Sequence, residues 1–274
     1  MIPKEHELAD LSSCDREPIT RLGAIQNFGF LIALTNDWTV SKVSANVEQH
    51  LGWKVDEILG TPFGELIGRQ AQHDIRNRMS FLYSIGSDRI YGVKLLGTSR
   101  RFDLALHFKG ELLVIEGEPS QTADGMEAAS MVRAMAARLT CDENLPTFHR
   151  TAARQVQAVT GFDRVMIYQF DGDGHGEVIA EAARSGLAPF LGLHFPASDI
   201  PKQARALYLL NPFRIIFDVD CPSVPILPAA GVLGGELDLS MAITRAVSPV
   251  HLEYLRNMGV RASLSISIIV DGQL

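Results

Sequence analysis

Long apolar runs are missing from this 274-residue sequence. A stretch such as Phe30-Leu31-Ile32-Ala33-Leu34 is far shorter than the roughly 20 residues that cross a bilayer as a helix, and Met1-Ile2-Pro3-Lys4-Glu5-His6 has no apolar signal core. A soluble cytoplasmic protein with no membrane partner is the expectation. Basic clusters are missing too: the net charge of -7 comes from interspersed residues, so nothing here neutralises a run of phosphates and no nucleic-acid partner is expected. Cysteine is scarce. Cys14, Cys141 and Cys221 form neither a CxxC nor an even disulfide framework, which leaves each a free thiol or a point of covalent attachment. His73, His107, His149, His175 and His194 lack metal-ligand spacing with nearby carboxylates, so no metal site is expected.

What is present suffices for two domains, because 46% hydrophobic residues can fill two cores. Residues 1–25 are polar and irregular and carry Cys14, a poor place to bury a thiol as a small hydrophobe. The expected first domain runs over 26–125. It opens with an apolar strand at 29–34, continues through short helical patterns at 44–51, 55–59 and 61–67, and closes with three antiparallel strands at 90–96, 102–108 and 112–116, the last two joined by Lys109-Gly110. A connecting helix is expected over 126–144, with Met131, Met135 and Leu139 at four-residue spacing. The second domain, 145–274, begins with a helix at 147–159 stopped by Gly161, followed by a hairpin of strands 164–170 and 177–181. Residues 221–237, rich in proline and glycine, read as a long structured loop of the functional kind. A helix at 251–258 and a strand at 262–270 follow, and Asp271-Gly272 favours a tight turn whose partner strand is missing, so the chain is expected to stop inside its second domain.

The chemistry concentrates late in the chain. Phe195-Pro196-Ala197-Ser198-Asp199-Ile200-Pro201 places one carboxylate between two prolines that fix the backbone. Tyr208, Arg214, Arg245, Ser248, His251, Tyr254, Met258, Ser263 and Ser265 add guanidinium, hydroxyl and imidazole groups among apolar neighbours. Such a mixture suits a large, flat, mainly apolar ligand with carboxylates at one edge and polar nitrogens at its centre. Simpler readings exist for each residue: Asp199 as a helix N-cap, His251 as a helix-start histidine, the arginines as surface ion pairs, the tyrosines as core aromatics, Cys14 as a spectator thiol.

Five ordered motifs decide among these readings: Cys14-Asp15-Arg16-Glu17-Pro18-Ile19, Gly23-Ala24-Ile25-Gln26, Phe162-Asp163-Arg164-Val165-Met166-Ile167-Tyr168, Pro196-Ala197-Ser198-Asp199-Ile200-Pro201, and the run from Ser248 to Gly259. Through them the sequence resembles the bacteriophytochromes over essentially its whole length. The resemblance implies an α+β protein, a PAS domain plus a GAF domain, each an antiparallel sheet flanked by helices. They would be joined through a figure-of-eight knot in which the N-terminal segment threads the long loop and Ile25 sits at the crossing. It implies a linear tetrapyrrole, biliverdin IXα, bound as a thioether to Cys14; Val250 stands where plant-type relatives carry the attaching cysteine. It further implies that Asp199 and His251 serve the pyrrole nitrogens, within a motif that includes Ile200 and Pro201. Arg214 and Arg245 would bind the propionates, with Ser248, Ser263 and Ser265 assisting. Tyr168, Tyr208 and Tyr254 would border the isomerising D ring, with Phe190, Phe195 and Met258 as further wall. The implied function is red/far-red photoreception by D-ring isomerisation, in a homodimer, with a histidine kinase or other output module elsewhere in the full-length protein and no enzymatic activity in this chain.

The residues admit three rival readings. A hydrolase built on Ser198 or Ser248, His251 and Asp199 lacks a GxSxG elbow and any source of an oxyanion hole. A GAF sensor of cyclic nucleotides, or a dimerisation module without pigment, is compatible with the fold but leaves Cys14 and the paired arginines without a purpose.

Overall fold

The computed structural model describes residues 17–120, 125–139, 144–228 and 235–274. Cys14 and Cys141, the attachment expected at Cys14, and part of the 221–237 loop lie outside the described residues. The chain divides into two compact units: one takes the described residues up to 120 together with Ala206–Gln273, the other those from 125 to Arg205.

The first unit begins with strands β1 (Ala24–Ile25), β2 (Phe30–Leu34), β3 (Val40–Ser44), β4 (Ser87–Lys94), β5 (Arg101–Lys109) and β6 (Leu112–Pro119). All five residues of β2 are buried, which explains why it reads as a continuous apolar run: both faces of its sheet are covered. Phe30, Ile32 and Leu34 join one core with helices α1 (Val47–Leu51), α2 (Val55–Ile58) and α3 (Arg69–Ile85), while Leu31 and Ala33 join a second core on the opposite face. The three closing strands pair antiparallel as expected, β4 to β5 to β6. Strand β3 and helix α3 were not foreseen. Val-Ser-Lys-Val-Ser is short and half polar, and α3 buries only a narrow stripe, Ala71, Ile75 and Leu82, on a helix otherwise rich in Arg, Gln and Asn.

The second unit contains α4 (Gly125–Leu139), α5 (Leu145–Thr160) and the antiparallel strands β7 (Arg164–Phe170), β8 (Gly176–Ala183) and β9 (His194–Phe195). Helix α5 starts where Asn144 accepts a bond from the Thr147 N–H at 3.0 Å and stops at Gly161, whose left-handed φ of 72° only glycine adopts without strain. The β7–β8 turn closes on Asp171, whose Oδ1 accepts from the N–H groups of Asp173 and His175.

Beyond α6 (Lys202–Leu210) come β10 (Phe213–Ile216), β11 (Val224–Leu227), α7 (Pro249–Asn257) and β12 (Ser263–Ile266). The 221–237 stretch is not all loop: β11 lies between β1 and β3 and completes a seven-stranded sheet among the described residues, in the order β1-β11-β3-β2-β6-β5-β4. Pro225 disguises this strand, yet it contributes the carbonyl that accepts from Ala45 N–H at 2.9 Å, a role proline retains. The strand expected at 262–270 is shorter, and Asp271-Gly272 makes the expected turn, both residues at positive φ and Val270 and Gln273 exchanging bonds of 2.9 and 3.0 Å. The stretch 17–26 is held on two sides. Gly23 O accepts from Ile226 N–H, while Thr20 O and Ala24 O accept from Leu239 and Ala246 N–H. Ile25 between them is fully buried.

His107 on β5 and Glu116 on β6 are both almost fully buried, with Nδ1 and Oε1 3.8 Å apart. They are not an ion pair. Burial, and then the Lys109 charge, lower the His107 pKa to about 4, and burial raises that of Glu116. Native His107 therefore binds fewer protons than the unfolded chain between its ordinary 6.5 and about 4, so its contribution to stability is present at neutral pH and is lost on acidification through that window. Urea unfolding of the wild type and His107→Phe at pH 7 and pH 4.5 checks this. The wild type is expected to lose up to about 3 kcal/mol more than the variant.

Candidate functional site

The first unit holds a cluster of cationic side chains. Strand β10 pairs antiparallel with β12 so that Arg214 stands directly across from Ser265 and Ile216 across from Ser263, which puts Arg214 and both serines on one face. Behind them runs the segment 243–246, which belongs to no strand. Arg214 Nη1 donates to Arg245 O at 2.9 Å and Nη2 to Ala246 O at 3.3 Å. The Arg245 side chain is 7% exposed; Nη1 donates to Ile19 O at 2.5 Å, and its buried Nε has no partner among the described residues. Neither guanidinium forms an ion pair among the described residues. Burial lowers the pKa of both, and for Arg214 the neighbouring Arg245 charge lowers it further. Since arginine stays protonated at neutral pH, the structure holds two adjacent cations in a poorly solvated place with a bond donor left over. That is an unmet demand for an anion, and carboxylates match guanidinium geometry.

Helix α7 contributes next to this. Ser248 caps its N-terminus, accepting from His251 N–H at 3.5 Å, and its hydroxyl donates to the Glu17 carboxylate. His251 and Tyr254, one turn apart, stack with ring centroids 6.1 Å apart. Part of the His251 ring is open to solvent, yet the protein mass around it and then the Arg214 charge lower its pKa, so it is neutral at pH 7. Tyr254 within α7 and Met258 at its C-terminus are exposed at 37% and 41%.

The second unit, taken by itself, holds an aromatic cluster. Tyr168 on β7 packs edge-on against Phe170 at 5.0 Å and meets Phe195 at 5.9 Å; Phe190 lies 6.4 Å from Phe195. Phe195 is aimed by its place on β9, paired with Gly176 of β8. Phe190 is held by the Arg164 guanidinium 3.6 Å from its ring centre and by Glu181, which accepts from the Phe190 and Leu191 N–H groups and pairs with Arg164 at 3.3 Å. The turn at 196–201 presents Asp199, Ile200 and Pro201, all half-buried. Asp199 is not the N-cap of α6: the Pro201 carbonyl accepts the first helix bonds, from Ala204 and Arg205, and Asp199 lies two residues earlier in a turn closed by its own N–H to Pro196 O. Among the described residues no group of three or more His, Cys, Asp or Glu could hold a metal, and no helix is long and apolar enough to cross a membrane.

Residues 14–120 match the family model of a PAS fold and residues 144–274 that of a GAF domain. The Bacteriophytochrome of Pseudomonas aeruginosa is 36% identical over 96% of this chain and 36% of its own length. Phytochrome-like protein Cph1 of Synechocystis sp. is 38% identical over 91% of this chain and 34% of its own. The chromophore-binding domain of Stigmatella aurantiaca phytochrome P1 superposes with a TM-score of 0.86 at 39% identity, covering 95% of this chain and 88% of that one. The chain belongs to the phytochrome family. It spans about a third of the length of these curated phytochrome relatives.

In this phytochrome chain the structure also brings forward residues that sequence reasoning passed over. Arg205 Nη1 donates to Ile200 O at 2.6 Å and lies 3.3 Å from Ala197 O and 3.4 Å from Gly174 O, which ties the Asp199 turn to the β7–β8 turn. Gln26 holds the Arg245 backbone from the other direction, through Nε2 to Arg245 O and Ile215 O. Gln26 was visible only as the last residue of the Gly23-Ala24-Ile25-Gln26 motif, with no role attached; Arg205 had no signal beyond its distance of a few residues from the turn it ties.

Gly176 is a steric requirement of the aromatic cluster, because a Cβ there would fall 1.9 Å from the Tyr168 ring. Gly176→Ala is expected to destabilise the protein by about 1–3 kcal/mol in urea unfolding. In a Tyr168→Ala background the same change is expected to cost much less, which a double-mutant cycle measures.

Proposed function

We propose that this chain is the chromophore-binding PAS-GAF part of a red/far-red photoreceptor and that its ligand is a bilin, biliverdin IXα. The observation that carries this reading is the pair of buried Arg245 and half-buried Arg214, two cations without an anionic partner among the described residues and with Arg245 Nε unsatisfied. A tetrapyrrole with two propionates supplies the missing carboxylates, and its flat apolar body suits the aromatic cluster of Tyr168, Phe190 and Phe195. Neither feature serves a cyclic nucleotide or a bare dimerisation module as well.

When bound, the bilin supplies the conjugated system that absorbs red light and isomerises at its D ring. Arg214 and Arg245 hold the propionates, with Ser263 and Ser265 on the Arg214 face as weaker donors and Ser248 at the α7 N-terminus as another once its hydroxyl turns from Glu17. Asp199, kept in a proline-bounded turn by Arg205, accepts hydrogen bonds at the pyrrole nitrogens. Neutral His251 provides one donor and one acceptor for the same centre. Ile200 and Pro201 continue the wall next to Asp199. Tyr168, Tyr208 and Tyr254, with Met258, border the ring that turns. Cys14 would hold the bilin as a thioether at its A-ring vinyl group, the thiol adding its S–H across the double bond with no leaving group or oxidant, and Ile25 anchors the stretch that follows it. The chain itself catalyses no turnover; a histidine kinase or other output module, a homodimeric assembly and a cytoplasmic location belong to the full-length protein.

Mixing the purified protein with biliverdin tests this. Red absorption and, after denaturation, zinc-induced fluorescence of a covalent adduct are expected, and Cys14→Ser is expected to abolish the adduct while leaving noncovalent absorption. Arg245→Gln is expected to weaken noncovalent binding about 10- to 100-fold, the loss of a charge-assisted bond. Folded protein that leaves the biliverdin spectrum unchanged refutes the proposal.

A further inference from the structure

Glu116 stands where an apolar residue is the simpler choice. On β6 it shares a sheet face with Leu112 and Val114, and its cross-strand neighbours are Leu31 and Ala105. Burying a carboxylate there is costly unless its oxygens are bonded. They are, and all three donors come from two consecutive residues far along the chain: Ile243 N–H at 3.1 Å, Thr244 N–H at 2.7 Å and the Thr244 hydroxyl at 2.5 Å. The other side of this segment is held just as firmly. Thr244 O accepts from Gln26 N–H at 2.7 Å, and Arg245 O accepts from Gln26 Nε2 at 3.1 Å and Arg214 Nη1 at 2.9 Å. Close approach is secured by Gly29, where a Cβ would lie 2.7 Å from Gly117 O and 3.1 Å from Thr244 Cγ2. A segment outside any strand thus has its N–H groups fixed by one carboxylate and its carbonyls by Gln26 and Arg214, and the next side chain is that of Arg245.

We propose that Glu116 is a positioning residue for carboxylate recognition by Arg245, acting through the backbone of Ile243 and Thr244; this rests on the reading of Arg214 and Arg245 as the carboxylate-binding pair. The carboxylate accepts, so it holds the two amides in one register and keeps the Arg245 guanidinium beside Arg214. An amide in its place turns one acceptor into a donor facing N–H groups, and the segment shifts. The affected property is selectivity for a ligand's carboxylates, not its apolar body.

The test uses the full chain with Cys14→Ser, so that binding is reversible, and compares dissociation constants for biliverdin and for biliverdin dimethyl ester by absorption titration. The Cys14→Ser protein is expected to prefer the free acid by about tenfold or more. Adding Glu116→Gln is expected to bring that preference close to one with the ester affinity unchanged within about twofold, and Thr244→Val, which removes one donor of three, to give an intermediate preference. Retention of the full preference in Glu116→Gln, or an equal loss for acid and ester, overturns the proposal. Should Glu116→Gln fail to give a native circular dichroism spectrum, the same two criteria are applied to Thr244→Val. Absence of any acid preference in the Cys14→Ser protein overturns instead the carboxylate-binding reading of the arginine pair, and this inference with it.

Discussion

Backbone amides without a strand to belong to are the constraint around which the first unit is arranged. Residues 243–246 cross the face of a sheet, and every polar group they expose needs a partner, because an unsatisfied buried amide costs as much as the bonds that hold a fold together. The partners come from three distant places: Glu116 in β6, Gln26 just after β1, and Arg214 in β10. The same amides anchor the N-terminal stretch, since Ala246 N–H reaches Ala24 O and Gln26 N–H reaches Thr244 O.

Electrostatics separates the two units by task. The first carries two arginine charges that its own described residues do not neutralise, and desolvation there acts on titratable groups in the direction of the uncharged form: down for His107, His251 and the arginines, up for Glu116. The second has charges that are already matched, Arg164 with Glu181 and Arg205 with three carbonyls, and these serve to aim aromatic rings and one turn. One unit presents unmet charge and the other prepared shape.

Much of this was legible along the chain. The strands at Phe30–Leu34, Arg101–Lys109, Leu112–Pro119 and Arg164–Phe170 announce themselves by apolar runs or alternation between turn residues, and Gly161 and Asp271-Gly272 stop or turn the backbone by their own conformational preferences. The motifs around Asp199, His251 and Ser248 were visible because closely spaced residue types carry recognisable chemistry. Strand Val224–Leu227 was hidden by its proline, and Val40–Ser44 by its polarity, because both are strands only by virtue of the neighbours they pair with.

By itself, then, the sequence determined local conformation, the inventory of reactive groups and the family to which they belong, since each of these depends on residues a few positions apart. Tertiary structure alone decided that Glu116, ordinary in any reading of β6, closes on amides 127 and 128 residues away, and that Arg214 and Arg245 share one poorly solvated corner. Burial is the reason: desolvation and partner choice are properties of where distant segments meet, and no window along the chain contains them.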